Sequence, residues 1–290
     1  MSTVSTASAT APIRFRQSLA KVLIEKSPRH AWHAYQRGED EDPTVAKNRG
    51  QLVDQMLFGV VSKPVVLVHA NDFRTNAAKA AKASALAEGG IPILAKKYEE
   101  LKDIVAALMV DLEAQGVDLS VGKAQVDVEW DSVTNAGIKV PCKGKLDHLT
   151  LEGDPKSPYA AIIRDLKTTV DASPEGVAKS MVKYGAHIQR EAYVEAINTL
   201  YPSVEGRVQF QFIYAEVNGI TAVTLAEPAG SMRALGAQQW RRAVATWEKC
   251  LRAREWPAYT RPGEVLQIEA KPWQLNEEIE VSMEEEKGGE

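Results

Sequence analysis

Between Ala124 and Thr169 the chain passes through three stretches of strand character separated only by turn-length gaps: "AQVDVEW" (124–130), "VPCKGKLDHLTL" (140–151) and "YAAIIRDLKTT" (159–169). Asn135–Gly137 supplies the first turn and "EGDPKSP" the second. Strands strung this closely satisfy their backbone donors and acceptors on one another, so the block commits the chain to a sheet. A helix follows from Pro174 to Leu200, opened by Ser173-Pro174 as an N-cap with proline at the first helical position. Two more strands, "GRVQFQFIYAEV" and "ITAVTLA", flank Asn218-Gly219, a strong hairpin signal, and a last helix covers roughly 230–254.

The first 120 residues differ in character. Residues 1–12 are rich in Ser, Thr and Ala and are expected to be a disordered tail. "FRQSLAKVLIEKSPRHAWHAYQ" (15–36) reads as a short helix, a break at Ser27-Pro28 with the same N-cap signature, and a second helix. "RGEDEDPTVAKN" reads as a polar loop. "RGQLVDQMLFG" (49–59) has apolar residues at 52, 53, 56 and 57, a helical spacing that puts Asp54 one turn from Phe58. "PVVLVH" (64–69) is a strand candidate, 72–88 a helix, "EGGIP" a break, and 96–115 an amphipathic helix with apolar residues at 98, 101, 104, 105, 108 and 112. No internal repeat and no composition shift marks a linker. The expectation is one α/β domain with a helical N-terminal half, ending in an acidic tail at 276–290.

Composition excludes more than it assigns. A net charge of −4 argues against a generally basic nucleic-acid coat but leaves a local basic groove open. Cys142 and Cys250 are too few for a four-cysteine zinc or iron–sulfur site and offer no disulfide framework, so a reducing cytoplasm is expected. No apolar signal core opens the sequence, and no run approaches the ~18 apolar residues of a membrane span.

The chemistry is concentrated in the strand block. In "RDLKTT", Asp165 and Lys167 are two residues apart and share one strand face. Asp147, in "GKLDHL", can come beside Asp165 on a neighbouring strand. Carboxylates that converge repel unless a cation separates them, and hard oxygen ligands suit Mg²⁺ or Mn²⁺. A lysine beside such a cation can orient or help deprotonate water and stabilise charge on a phosphate. The plainer reading is a solvated ion pair at a strand end. Downstream, "YGAHIQREAYVEA" places Gln189 and Tyr193 at i and i+4 on one helix face.

Taken together, "GKLDHL", "IIRDLKTT" and "YGAHIQREAY" resemble the PD-(D/E)XK nuclease superfamily. More narrowly they resemble phage and prophage exonucleases of the exodeoxyribonuclease VIII (RecE-like) group, relatives of lambda exonuclease and the RecB nuclease domain. The resemblance runs from "SPRHAWHAY" through "RGQLVDQMLFG" and "DFRTNAAKAA" to "WEKCLRAREWPAYT" and "KPW". It implies a restriction-endonuclease-like core, a central mixed β-sheet flanked by helices, within a single exonuclease domain at 13–275 whose catalytic core is about 120–255. It implies that Asp147 and Asp165 are metal-binding acids, Lys167 the catalytic lysine and the Leu166 carbonyl a further ligand. Gln189 and Tyr193 match the family's QxxxY motif, which lies against the site and the DNA. Asp54 stands where the family usually offers a histidine to the metal, and is expected to replace it as a ligand. Leu146 stands where the superfamily's nominal proline would precede the first acid.

The activity implied is Mg²⁺-dependent degradation of one strand of linear double-stranded DNA, 5′ to 3′. A ring-shaped homo-oligomer of three or four chains, a single-strand annealing recombinase as partner, a cytoplasmic location, no membrane and no iron–sulfur cluster go with it. A Cas4-like or AddB-like nuclease would carry an iron–sulfur cluster on four cysteines, and this chain has two. An endonuclease would use the same chemistry, and a DNA-binding protein on an inactive nuclease fold would be expected to lack one of Asp147, Asp165 and Lys167. Lys139, Lys143 and Lys145 alternate along one strand and face either a phosphate backbone or solvent. Arg74, in "DFRTNAAK", is a candidate DNA contact. Gln189 and Tyr193 either touch DNA or pack within the fold. His148 is expected to be packed or hydrogen-bonded, and Trp130, Trp240 and Trp256 to be core residues.

Overall fold

The computed structural model describes residues 12–38, 45–151, 157–219, 221–276 and 279. Five strands hydrogen-bond in chain order: β3 (Lys123–Val133), β4 (Lys139–Leu151), β5 (Ala161–Thr169), β6 (Val208–Glu216) and β7 (Ala222–Ala226). Only β5 and β6 run parallel. A parallel step needs a crossover, and α6 (Pro174–Tyr184) with α7 (Ala186–Leu200) supplies it. The sheet is therefore mixed. Its interior strand β6 divides its side chains between two cores: Phe210, Phe212 and Tyr214 enter one, Ile213 and Ala215 the other. Burial on both faces is why "FIYA" (212–215) shows no polar alternation.

The first core is closed by α1 (Gln17–Glu25), α7 and α8 (Gly230–Ala253) and holds Phe15, Leu19, Ile163, Trp240 and Trp247. The second is closed by α3 (Val45–Phe58) and α5 (Ala95–Ala114) and holds Leu52, Leu101, Leu108 and Leu112. α2 (Pro28–Arg37) brings Trp32 onto Trp256 and Trp247, with ring centroids 4.4 and 6.1 Å apart.

Three expectations change. The helix expected from Pro174 to Leu200 is two helices, because Gly185 takes the left-handed conformation (φ 72°) that both caps α6 and opens α7. "EGGIP" is not only a break: Ile91–Leu94 forms β2, paired in parallel with β1 (Val65–Val68) across α4 (Asn76–Ala87). A four-residue strand containing proline is too short to show a period. α3 starts at Val45, within the stretch read as a polar loop. The two Ser-Pro caps also part ways. Ser173 accepts from the Gly176 N–H at 3.1 Å, whereas Ser27 pairs instead with the His30 ring at 2.7 Å. The expected tail at 1–12 lies outside the described residues except for its last residue, as do most of the second turn in the strand block and most of the acidic tail.

Candidate functional site

β4 and β5 pair from Leu151 opposite Ala161 to His148 opposite Arg164. One step further along this register, Asp147 stands opposite Asp165. Asp165 is only 2% exposed. Its Oδ2 accepts from Gln189 Nε2 at 2.6 Å, while its Oδ1 takes no hydrogen bond and meets the Lys167 ammonium as an ion pair. Lys167 is also steadied from beneath, its Nζ 5.7 Å from the centroid of the Phe212 ring. Asp147 Oδ2 accepts the Leu166 backbone N–H at 2.9 Å, so the residue between Asp165 and Lys167 ties the two strands together.

The strand that carries Asp147 is irregular at that point. Strict alternation would put Leu146 and Leu149 on opposite faces, yet both enter the same core. The break falls on Asp147 and His148. Across from it the β3–β4 pairing omits Gln125, which has φ 52°, a left-handed conformation rare for a side chain of this kind. Such a local disruption re-aims side chains, as a bulge does. Here Gln125 Nε2 reaches the Asp54 carboxylate, 2.9 Å from Oδ2 and 3.2 Å from Oδ1. Nothing in the sequence marks Gln125, because a glutamine in a strand gives no hint of its backbone angle.

Asp54 arrives from α3. One turn earlier on that helix is Gly50, where a Cβ would lie 3.2 Å from Thr168 Oγ1. Glycine thus lets α3 close onto the end of β5, and Asp54 at i+4 shares the apposed face. The Asp54 carboxyl is pushed up to about 6, first by burial and then by the negative charge of Asp165, with Lys145 and Lys167 opposing. Asp147 is pushed well above the usual carboxylate range by burial and by Asp165, with Lys167 opposing and Asp54 adding to the rise. The three acids and Lys167 therefore share one electrostatic field. Each carboxylate is turned onto a protein donor, and among the described residues no three His, Cys, Asp or Glu side chains are gathered as a ready coordination shell.

α7 supports the site from behind. Gln189 and Tyr193 are both buried. Tyr193 lies flat against β4 because residue 144 has no side chain: a Cβ there would sit 2.3 Å from Tyr193 Cε1. Its hydroxyl engages the Lys145 backbone and the Gln189 side chain, and burial, followed by the charge of Asp165, pushes the phenol upward. Both residues thus have partners within the fold, Gln189 bracing Asp165 and Tyr193 bracing the strand of Asp147.

Lys143 and Lys145 are exposed on β4. With Arg16, Gln17, Ser18 and Tyr193 they line a polar groove of about 360 Å³ beside Gly144. Lys145 also faces Asp127 at 3.7 Å, and Lys139 faces Asp131 at 3.7 Å, so these lysines have acidic neighbours across the ladder. Arg74 lies elsewhere, in the β1–α4 loop. Its side chain is 90% exposed, and its hydrogen bonds and ion pair go to Asp72. No contact in the described residues joins it to the acids. His148 is buried with Nε2 3.1 Å from the Leu119 carbonyl. Trp130 and Trp240 belong to the core and Trp256 packs against it.

The same arrangement of elements recurs in a crystal structure from Eubacterium rectale described as a "Putative exonuclease". The two superpose with a TM-score of 0.56 over 91% of this chain and 92% of that chain, at 15% identity. The two chains share a fold. The expected α/β architecture, a central mixed sheet flanked by helices, is the one found. No protein-family model matches the chain, and no curated protein does. Among the described residues no helix is long and apolar enough to cross a membrane.

Proposed function

We propose that this chain is a divalent-cation-dependent exodeoxyribonuclease that degrades one strand of linear double-stranded DNA, 5′ to 3′. The observation that carries the reading is the cluster of Asp147, Asp165, Asp54 and Lys167, with Asp165 buried and held by Gln189. Burial and the nearby Asp165 charge raise the proton affinity of Asp54 and Asp147, a charge arrangement that a cation relieves, and an all-oxygen donor set fits Mg²⁺, with Mn²⁺ also suited. Asp54, Asp147, Asp165 and the Leu166 carbonyl would hold it. When bound, such an ion supplies Lewis-acid activation for displacement at phosphorus.

The chain's own residues do the rest. Lys167, fixed between Asp165 and the Phe212 ring, holds an ammonium where it can orient the attacking water and offset charge on the phosphate. Hydrolysis forms a bond from the water oxygen to phosphorus, breaks one phosphodiester P–O bond and delivers a proton to the leaving oxygen. Gln189 keeps Asp165 in one orientation, and Tyr193 keeps β4 in place. Lys143 and Lys145 offer charge to backbone phosphates near the site. The sequence resemblance adds single-stranded overhangs for phage-type recombination, a ring of three or four chains around the DNA, a single-strand annealing recombinase as partner, and the cytoplasm of a bacterial or phage-infected cell.

The test is a gel time course on linear duplex DNA labelled at the 5′ or 3′ end. It is run with Mg²⁺, with EDTA and with Lys167→Ala, beside a covalently closed circle. Mg²⁺-dependent loss of the linear DNA alone, abolished by the substitution, with early release of the 5′ label, is expected. Cutting of the closed circle would make the chain an endonuclease. Binding without cleavage would make it a DNA-binding protein on this fold.

A further inference from the structure

Away from the acid cluster, α3, α4, β2 and α5 enclose an open cavity of about 580 Å³, a size suited to a few large side chains. Phe73, Leu86, Pro92 and Ile93 give it an apolar floor. Arg49, Lys82 and Lys97 stand around it. The one acid in the lining, Glu100, is paired with Lys97 at 2.6 Å. Its carboxyl is held below the usual range by that bond first, with Lys96 and Arg49 adding to the effect. The cavity is therefore apolar within and positive at its edge.

The C-terminal segment has the opposite pattern. Trp256 is still pinned on the α2–α8 side, its ring centroid 4.8 Å from that of Trp247. Beyond it the chain exposes Val265, Ile268, Trp273, Leu275 and Ile279, each more than half exposed. Residues 272–276 are helical. Leu275, Ile279 and Met283 recur at i, i+4 and i+8, the spacing with which an apolar helix face enters a groove. From Glu269 to Glu286 there are seven glutamates and one lysine. An apolar, acidic segment is the chemical complement of an apolar, basic cavity.

We propose that residues 272–286 of one chain dock into the cavity between α3, α4, β2 and α5 of a second copy. The partner is placed in a second chain because the helix that leads into the segment and the cavity close different cores. α8, from which the segment emerges, closes the core of Trp240 and Trp247, while Leu52 and Leu101 of the cavity belong to the other core. A segment that leaves beside one core and meets a complementary cavity beside the other gives a head-to-tail contact, which can close into a ring.

The test uses two full-length chains, each with one added cysteine: Leu86→Cys on the cavity wall and Leu275→Cys in the segment. Both native cysteines are buried. The chains are mixed, treated with a short bis-maleimide and resolved on a denaturing gel. A covalent heterodimer well above the level either chain gives alone is expected. In parallel, Leu275→Asp/Ile279→Asp changes only exposed positions and is expected to lower the mass seen by light scattering. A third chain carries both added cysteines, and no heterodimer between the single variants, cross-linking of this double variant only within itself, or an unchanged mass would each overturn the proposal. Neither readout involves DNA cleavage, so the docking and the catalytic reading fail separately.

Discussion

Gly144→Ala is the substitution whose cost follows most directly from the structure. A methyl at this position would lie 2.3 Å from Tyr193 Cε1 and 3.1 Å from both Cζ and the hydroxyl, far inside contact distance. Tyr193 has little room to retreat. It is 5% exposed, and its ring stacks at 6.5 Å from Phe210. Overpacking of this kind costs about 1–3 kcal/mol, against roughly 0.5–1 kcal/mol that alanine gains over glycine in a strand. The net loss, up to about 2.5 kcal/mol, lowers the melting temperature by as much as several degrees, since each kcal/mol is worth about 2–4 °C in a protein of comparable size. Activity should fall further than stability. The displaced ring sits one turn from Gln189, which holds Asp165, and an error of about 1 Å in a catalytic group can cost on the order of a hundredfold in rate. Calorimetry and the nuclease assay would be run on Gly144→Ala, Tyr193→Leu and the double variant. In the Tyr193→Leu background the alanine should be neutral or slightly stabilising. Full wild-type stability and rate in Gly144→Ala, or the same penalty with and without the tyrosine ring, would refute the reasoning.

Two further outcomes follow from the acid cluster. Asp54 has its folded pKa raised to about 6 from an ordinary value near 3.9, so the stability linked to it is present at low pH and is lost as pH rises through about 6. Asp147 acts in the same direction. In EDTA the protein should therefore melt lower at pH 7.5 than at pH 5, and Asp54→Asn should flatten that dependence and raise the pH 7.5 melting temperature. An unchanged slope in scanning fluorimetry would contradict the shift. At Gln125 the backbone carries the strain, so Gln125→Gly should be about 1 kcal/mol more stable than Gln125→Ala in urea titrations, although both lose the hydrogen bond to Asp54.

Much of this architecture was legible because local signals agreed with tertiary ones. The three strands at 124–169, the β6–β7 hairpin at Asn218-Gly219 and α8 are all marked by β-rich runs or helical spacing between clear turn residues. The acid–lysine pair was legible because strand parity alone puts Asp165 and Lys167 together. What escaped depends on close approach. Gly50 and Gly144 read as ordinary glycines, and their meaning appears only when Thr168 and Tyr193 are found against them. Gln125 depends on a backbone angle set by the irregular β4 opposite it. Arg74 illustrates the converse: a basic residue in a family-like stretch turns out to be paired with its neighbour Asp72, two residues away.

The central claim, that Asp54, Asp147, Asp165 and Lys167 form a hard-cation site, is tested most directly by titrating the purified chain with Mn²⁺ and following the free ion by electron paramagnetic resonance. The wild-type protein should take up Mn²⁺ in competition with Mg²⁺. Asp147→Asn and Asp165→Asn, verified as folded by circular dichroism, should each lose at least about tenfold in affinity, since losing even a group that only supports a ligand costs about 10–100-fold. No uptake by the wild-type chain, or equal uptake by the two variants, would contradict the assignment of this cluster as a metal centre.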